Sequence, residues 1–70
     1  MNKHFLRVRI DLVAGGTTYG YICLNNVTMF REHTSDCGRV IVDSDGRTYS
    51  ICMKISEFRQ HMEKLCSITD

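Results

Sequence analysis

Residues 39–65 read RVIVDSDGRTYSICMKISEFRQHMEKL, and the order of signals in this run decides the fold. Arg39 to Asp43 and Thr48 to Met53 are two β-prone segments joined through Ser44-Asp45-Gly46-Arg47. Asp-Gly tolerates the positive φ angles that a tight hairpin turn demands, so the two segments are read as paired antiparallel strands. Beyond them Ile55, Phe58, Met62 and Leu65 recur at helical spacing, with Arg59, Gln60, Glu63 and Lys64 on the remaining surface. Ser56 is the expected N-cap, and Glu57 suits the positive end of the helix dipole. A hairpin followed by an amphipathic helix predicts a helix lying across one face of a sheet.

Toward the N-terminus, Phe5 to Val13 alternates, with Leu6, Val8, Ile10 and Leu12 on one face and Arg7, Arg9 and Asp11 on the other. Ala14-Gly15-Gly16 turns the chain, and the β-branched and aromatic run Thr17 to Leu24 closes a first hairpin. Gly20 in that run marks a bulge or a place where a bulky neighbour needs room. Asn25-Asn26 signals a turn, and a short strand from Val27 to Arg31 or Glu32 follows. His33 to Gly38 is the longest loop, expected to be disordered or functional. The fold class is therefore α+β: an antiparallel sheet of four or five strands with one C-terminal helix packed on one face.

With 43% hydrophobic and 24% charged residues, the 70-residue chain reads as one globular domain, its core between 4 and 66 and its tail, 67–70, fraying. A domain this small buries only about 60% of the surface its unfolded chain exposes, so a homo-oligomer is expected. A net charge of +1 implies neither a strongly basic nucleic-acid coat nor an acidic mimic of DNA, and leaves room for a local charged patch. No run reaches the roughly 18 apolar residues of a membrane span, and no leader precedes the first strand, so a cytoplasmic location is expected, in the producing or infected cell.

Cys23, Cys37, Cys52 and Cys66 contain no C-x-x-C pair, whereas zinc sites are built from close ligand pairs that pre-organise half the tetrahedron. They are read as small buried thiols, reduced in the cytosol, with no metal and no cofactor assigned. His33 beside Cys37 and Arg39 resembles the surroundings of a reactive thiol, but the short loop offers no oxyanion donors or cleft, so no catalytic residue is assigned and no enzyme is expected. Glu32, Asp36, Asp43 and Asp45 lack the alternating twelve-position spacing of a calcium loop and are read as solvated turn carboxylates. Gly15-Gly16 lacks the strand-to-helix setting of a phosphate loop.

What remains is the sheet face away from the helix. If Leu6, Val8 and Ile10 point inward, Arg7 and Arg9 point outward, and one register of the neighbouring strand sets Tyr19 and Tyr21 beside them. Arginine with tyrosine suits a protein interface or a single-stranded nucleic acid. The expected partner-binding residues are Arg7, Arg9, Tyr19, Tyr21, Arg31, His33, Arg39 and Arg47. Near-neutral charge favours a protein partner, with nucleic acid as the alternative.

Residues 17–65 resemble small bacterial and phage-type proteins of the FlbD-like swarming-motility family. The resemblance rests on Ile22-Cys23-Leu24-Asn25, Val27 and Met29, Val40-Ile41-Val42, Gly46, Tyr49-Ser50-Ile51, and Ser56-Glu57 opening a helix. The closing strand-strand-helix pattern is also similar to the end of LytTR-type DNA-binding domains, whose basic loops would correspond to Arg31, Arg39 and Arg47. These resemblances imply a regulatory accessory rather than an enzyme. The expectation is a small non-enzymatic module that binds another protein, such as an inhibitor encoded by a phage or mobile element.

Overall fold

A computed structural model describes residues 3–69, with side chains described from 3 to 65. The elements are β1 (Phe5–Asp11), β2 (Thr17–Cys23), a three-residue 3-10 turn (Leu24–Asn26), β3 (Val27–Glu32), β4 (Val40–Ser44), β5 (Arg47–Ile51) and α1 (Ile55–Thr69). All five strands join one antiparallel sheet in the order β2-β1-β5-β4-β3. The protein is thus α+β, with five strands and one C-terminal helix.

Strand order and connection length together force the sheet to curl. β2 and β3 are its two edges, about 19 Å apart in a flat five-stranded sheet with strands about 4.8 Å apart. Yet Cys23 and Val27 are separated only by the 3-10 turn, and four Cα steps reach at most about 15 Å. The edges must bend toward each other at that end. Pairing is shortest between two strand groups: β1 meets β5 through one residue pair, Ile10 with Ile51, supported by the Cys52 N–H donating to the Arg9 carbonyl at 2.9 Å. On one side of this junction lies the β1–β2 hairpin, on the other the β3–β4–β5 meander.

Inside the curl sit Val8, Ile22, Leu24, Val40, Val42 and Ile51, joined by Phe58 and Leu65 of α1. The Phe30 and Phe58 rings meet edge to face with centroids 5.1 Å apart. Ser44 is buried among them at the end of β4. The β4–β5 turn has the expected left-handed residues, Asp45 at φ 55° and Gly46 at φ 77°. Gly20 makes room for a neighbour, because a Cβ there would come within 3.1 Å of Ile10 Cδ1.

Several expectations need correction. The first strand ends at Asp11, not Val13, and Leu12 is 47% exposed rather than inward. Its amide donates to the Gly16 carbonyl and its carbonyl accepts from Gly15, so turn geometry takes Leu12 out of the pleat. The second hairpin is shifted to Val40–Ser44 and Arg47–Ile51, because the two-residue turn lets pairing run up to Ser44 and Arg47. Ser56 is not the N-cap: the helix begins at Ile55, and the Lys54 carbonyl accepts from Glu57 and Phe58. The His33 to Gly38 loop lies between β3 and β4 as expected, and hydrogen bonds run from the His33 amide to the Arg39 carbonyl and from the Arg39 amide to the Asp36 carbonyl. Helical backbone continues to Thr69; the Cys66 side chain and Asp70 lie outside the described residues.

Candidate functional site

The β1–β2 register sets Arg7 opposite Tyr21 and Arg9 opposite Tyr19. Opposed residues share a face, and Leu6, Val8 and Ile10 turn inward, so these four side chains stand together outside. The Arg7 guanidinium carbon lies 4.2 Å from the Tyr19 ring centroid and that of Arg9 lies 5.2 Å away, so one ring meets two cations. Tyr19 and Tyr21 nevertheless remain 56% and 70% exposed. Among the described residues no carboxylate comes within ion-pair distance of Arg7 or Arg9.

The other four expected residues are placed elsewhere. Arg31, on the far edge strand, reaches the Asp43 carboxylate at 3.4 Å, and Asp43 also accepts from the Thr48 hydroxyl at 2.8 Å. His33 accepts at Nδ1 from the Ser35 amide, 3.1 Å away, within the loop. Arg47 sits at the β4–β5 turn, and the pleat aligns it with Tyr49 and Ile51, opposite the Arg7 face. Arg39 is fully engaged. Its Nε and Nη2 donate to Asp11 at 2.7 and 3.1 Å, and its Nη1 donates to Asp36 at 3.1 Å.

Asp11 was legible only as an outward residue, yet it organises a four-part latch. Besides Arg39 it accepts from the Ser50 hydroxyl at 2.7 Å and from the Cys52 thiol at 3.5 Å. The Arg39 fork, then the Ser50 and Cys52 hydrogen bonds, hold its carboxyl down at about 2. Burial, then the adjoining Asp11 carboxylate, push the Cys52 thiol up, which keeps it protonated as a hydrogen-bond donor to Asp11. The latch ties β1, β5 and the 33–39 loop. Its signal in the sequence was the outward alternation of Asp11 with Arg9, but the partners only appear once the β1–β5 register is known.

Of the cysteines, Cys23 is buried, Cys52 half-buried and Cys37 exposed. The described residues hold no grouping of three or more His, Cys, Asp or Glu side chains suited to a metal, and no helix among them is long and apolar enough to cross a membrane. Two hollows flank the hairpin. One, of about 200 Å³, lies on the inner side of β2 between Gly20, Ile22, Ile10 and Tyr49 and is rimmed by Ser44 and Asp45 of the β4–β5 turn. The other, of about 240 Å³, lies at the start of β1 among His4, Phe5, Leu6, Leu24, His61 and Leu65. Searches of protein-family models, curated proteins and solved structures return no match to this chain.

Proposed function

We propose that the protein is a small non-enzymatic binding module, an accessory or regulatory protein that holds another protein through an acidic stretch laid on the outer face of the β1–β2 hairpin. The observation that carries this reading is the pair Arg7 and Arg9: two cations without carboxylate partners among the described residues, held over Tyr19 beside the exposed Tyr21. Exposed arginine with tyrosine is the composition of interface hot spots, and stacking on a ring lowers the conformational entropy the arginines lose on binding. In this reading the helix packs over the inward face of the sheet as the fixed back of the module, a placement supported by Phe58 against Phe30.

A protein partner is favoured over nucleic acid by how few of the candidate arginines stand free on this face. Arg31 and Arg39 are neutralised by Asp43, Asp11 and Asp36, and Arg47 lies on the other side. Two phosphate contacts would release only about two counterions, with a salt exponent near −1.5 for a single strand, which is too small for useful affinity at physiological salt. The test is a fluorescence titration of a glutamate-rich peptide and of a short single-stranded oligonucleotide, across a range of salt, against wild type and the double variant Arg7→Ala with Arg9→Ala. Peptide binding that falls about tenfold or more in the variant is the expected result. Unchanged peptide binding in the variant overturns the reading. Tighter oligonucleotide binding with a salt exponent steeper than about −4 replaces it with the nucleic-acid alternative.

A further inference from the structure

We infer that β2 is a docking edge for an extended segment of the partner, which adds to the sheet as a sixth strand with acidic residues at two alternate positions and an apolar residue between them. This rests on the acidic-partner reading above and specifies how that partner is held.

The first ground is the backbone. In an antiparallel pair, residues alternate between those that bond the neighbour and those that point their N–H and C=O away from it. The Leu12 amide donates to the Gly16 carbonyl, and the Leu24 amide donates to the His4 carbonyl. These two bonds fix the phase of the whole hairpin at both ends. Thr18, Gly20 and Ile22 bond β1, so Tyr19 and Tyr21 direct their amides and carbonyls to the outside of the sheet. Among the described residues β2 pairs with β1 alone. An edge strand is ordinarily protected by charge, proline or a bulge, and Thr17-Thr18-Tyr19-Gly20-Tyr21-Ile22-Cys23 carries no charged residue and no proline and pairs with β1 in unbroken register.

The second ground is what the two faces of an added strand would meet. A residue set opposite Tyr19 or Tyr21 projects to the outer face, within reach of the Arg7 and Arg9 guanidinium groups that lean over Tyr19. The residue between them faces inward opposite Gly20, which adds no side chain of its own beside Ile10 Cδ1. There the hollow of about 200 Å³ between Ile10, Ile22 and Tyr49 receives one apolar side chain. Outward acid, inward apolar residue and outward acid is the pattern both faces select, whichever way the added strand runs.

Charge also decides against a second copy of this chain as the occupant. Pairing β2 with its own copy would bring two Arg7 and two Arg9 side chains onto one face, where the outward carboxylate of β1, Asp11, is already held by Arg39, and like charges gathered on one face repel.

The experiment uses two synthetic peptides of alternating glutamate and valine, one unmodified and one methylated on the amide nitrogens along a single edge. Methylation keeps charge and side chains but blocks strand addition. The unmodified peptide is expected to bind about tenfold or more tightly than the methylated one and to slow hydrogen exchange at the Tyr19 and Tyr21 amides. If both peptides bind equally and both weaken in the Arg7→Ala, Arg9→Ala variant, strand addition is overturned and the acidic-face reading stands. If both bind equally and the variant makes no difference, both are overturned. Absence of binding by either peptide at millimolar concentration overturns the acid-apolar-acid pattern.

Discussion

The β1–β2 hairpin and the β3–β4–β5 meander are built from similar strands, but they dispose of their outward charges in opposite ways. On the meander Arg31 is matched by Asp43 and Asp43 also by Thr48, while Arg39 is matched by Asp11 and Asp36. On the hairpin Arg7 and Arg9 are set against a ring instead of a carboxylate. The inward sides differ as well. Val40, Val42 and Ile51 of the meander are wholly buried, whereas of the hairpin's inward row Val8 and Ile22 are buried and Leu6 and Ile10 only partly so. One region has its outward arginines Arg31 and Arg39 matched by carboxylates, Asp11 of β1 among them, and carries stability. The other leaves charge, rings and a strand edge open to a partner.

The comparison breaks most sharply at Ile51. Its replacement, Ile51→Ala, removes a fully buried side chain at the junction of β1, β4 and β5, and is expected to cost about 3–4 kcal/mol in chemical denaturation. A loss under about 1 kcal/mol would mean that the meander is not the stabilising half.

A smaller effect is expected from the latch. Asp11→Ala strips Arg39, Ser50 and Cys52 of a shared acceptor and should cost about 1–2 kcal/mol, discounted because the pair is partly exposed. A pH dependence comes with it. The Asp11 carboxyl titrates lower in the folded state, at about 2, than the roughly 3.9 of an unfolded chain, so its contribution is complete above pH about 4 and is lost as pH falls toward 2. Acid denaturation of wild type and Asp11→Ala should therefore converge across that window. Curves that stay parallel would remove Asp11 as the source.

Smallest of all is the stability effect of the double variant Arg7→Ala with Arg9→Ala, expected within about 1 kcal/mol because only two exposed cation–ring contacts are lost. A thermal midpoint that drops as far as that of Ile51→Ala would make the arginines structural and dissolve the contrast between the two halves.

Much of this was legible in the chain because local chemistry wrote it there. Asp45-Gly46 set a hairpin turn, alternation in Leu6, Val8 and Ile10 set an inward face, and the spacing of Phe58, Met62 and Leu65 set a helix. The Arg7, Arg9, Tyr19 and Tyr21 grouping was legible as one of two possible registers. What local pattern could not contain was long-range pairing. Nothing around Asp11 announces Ser50 or Cys52, and nothing around Arg39 announces Asp11, since those meetings depend on β1 lying beside β5. Leu12 misled for the converse reason: it continues the apolar alternation while the turn's own hydrogen bonds lift it away.

The junction at Ile10 and Ile51 bears on cooperativity. Those residues stand about forty positions apart, and closing a loop of that length costs about 3 kcal/mol of chain entropy, more than a single strand bridge returns. The bridge therefore holds only while the shared core around Val8, Ile22, Val42 and Phe58 is assembled. Hairpin and meander, so unlike on their surfaces, must melt together, and tyrosine fluorescence and far-ultraviolet circular dichroism should trace one coincident transition.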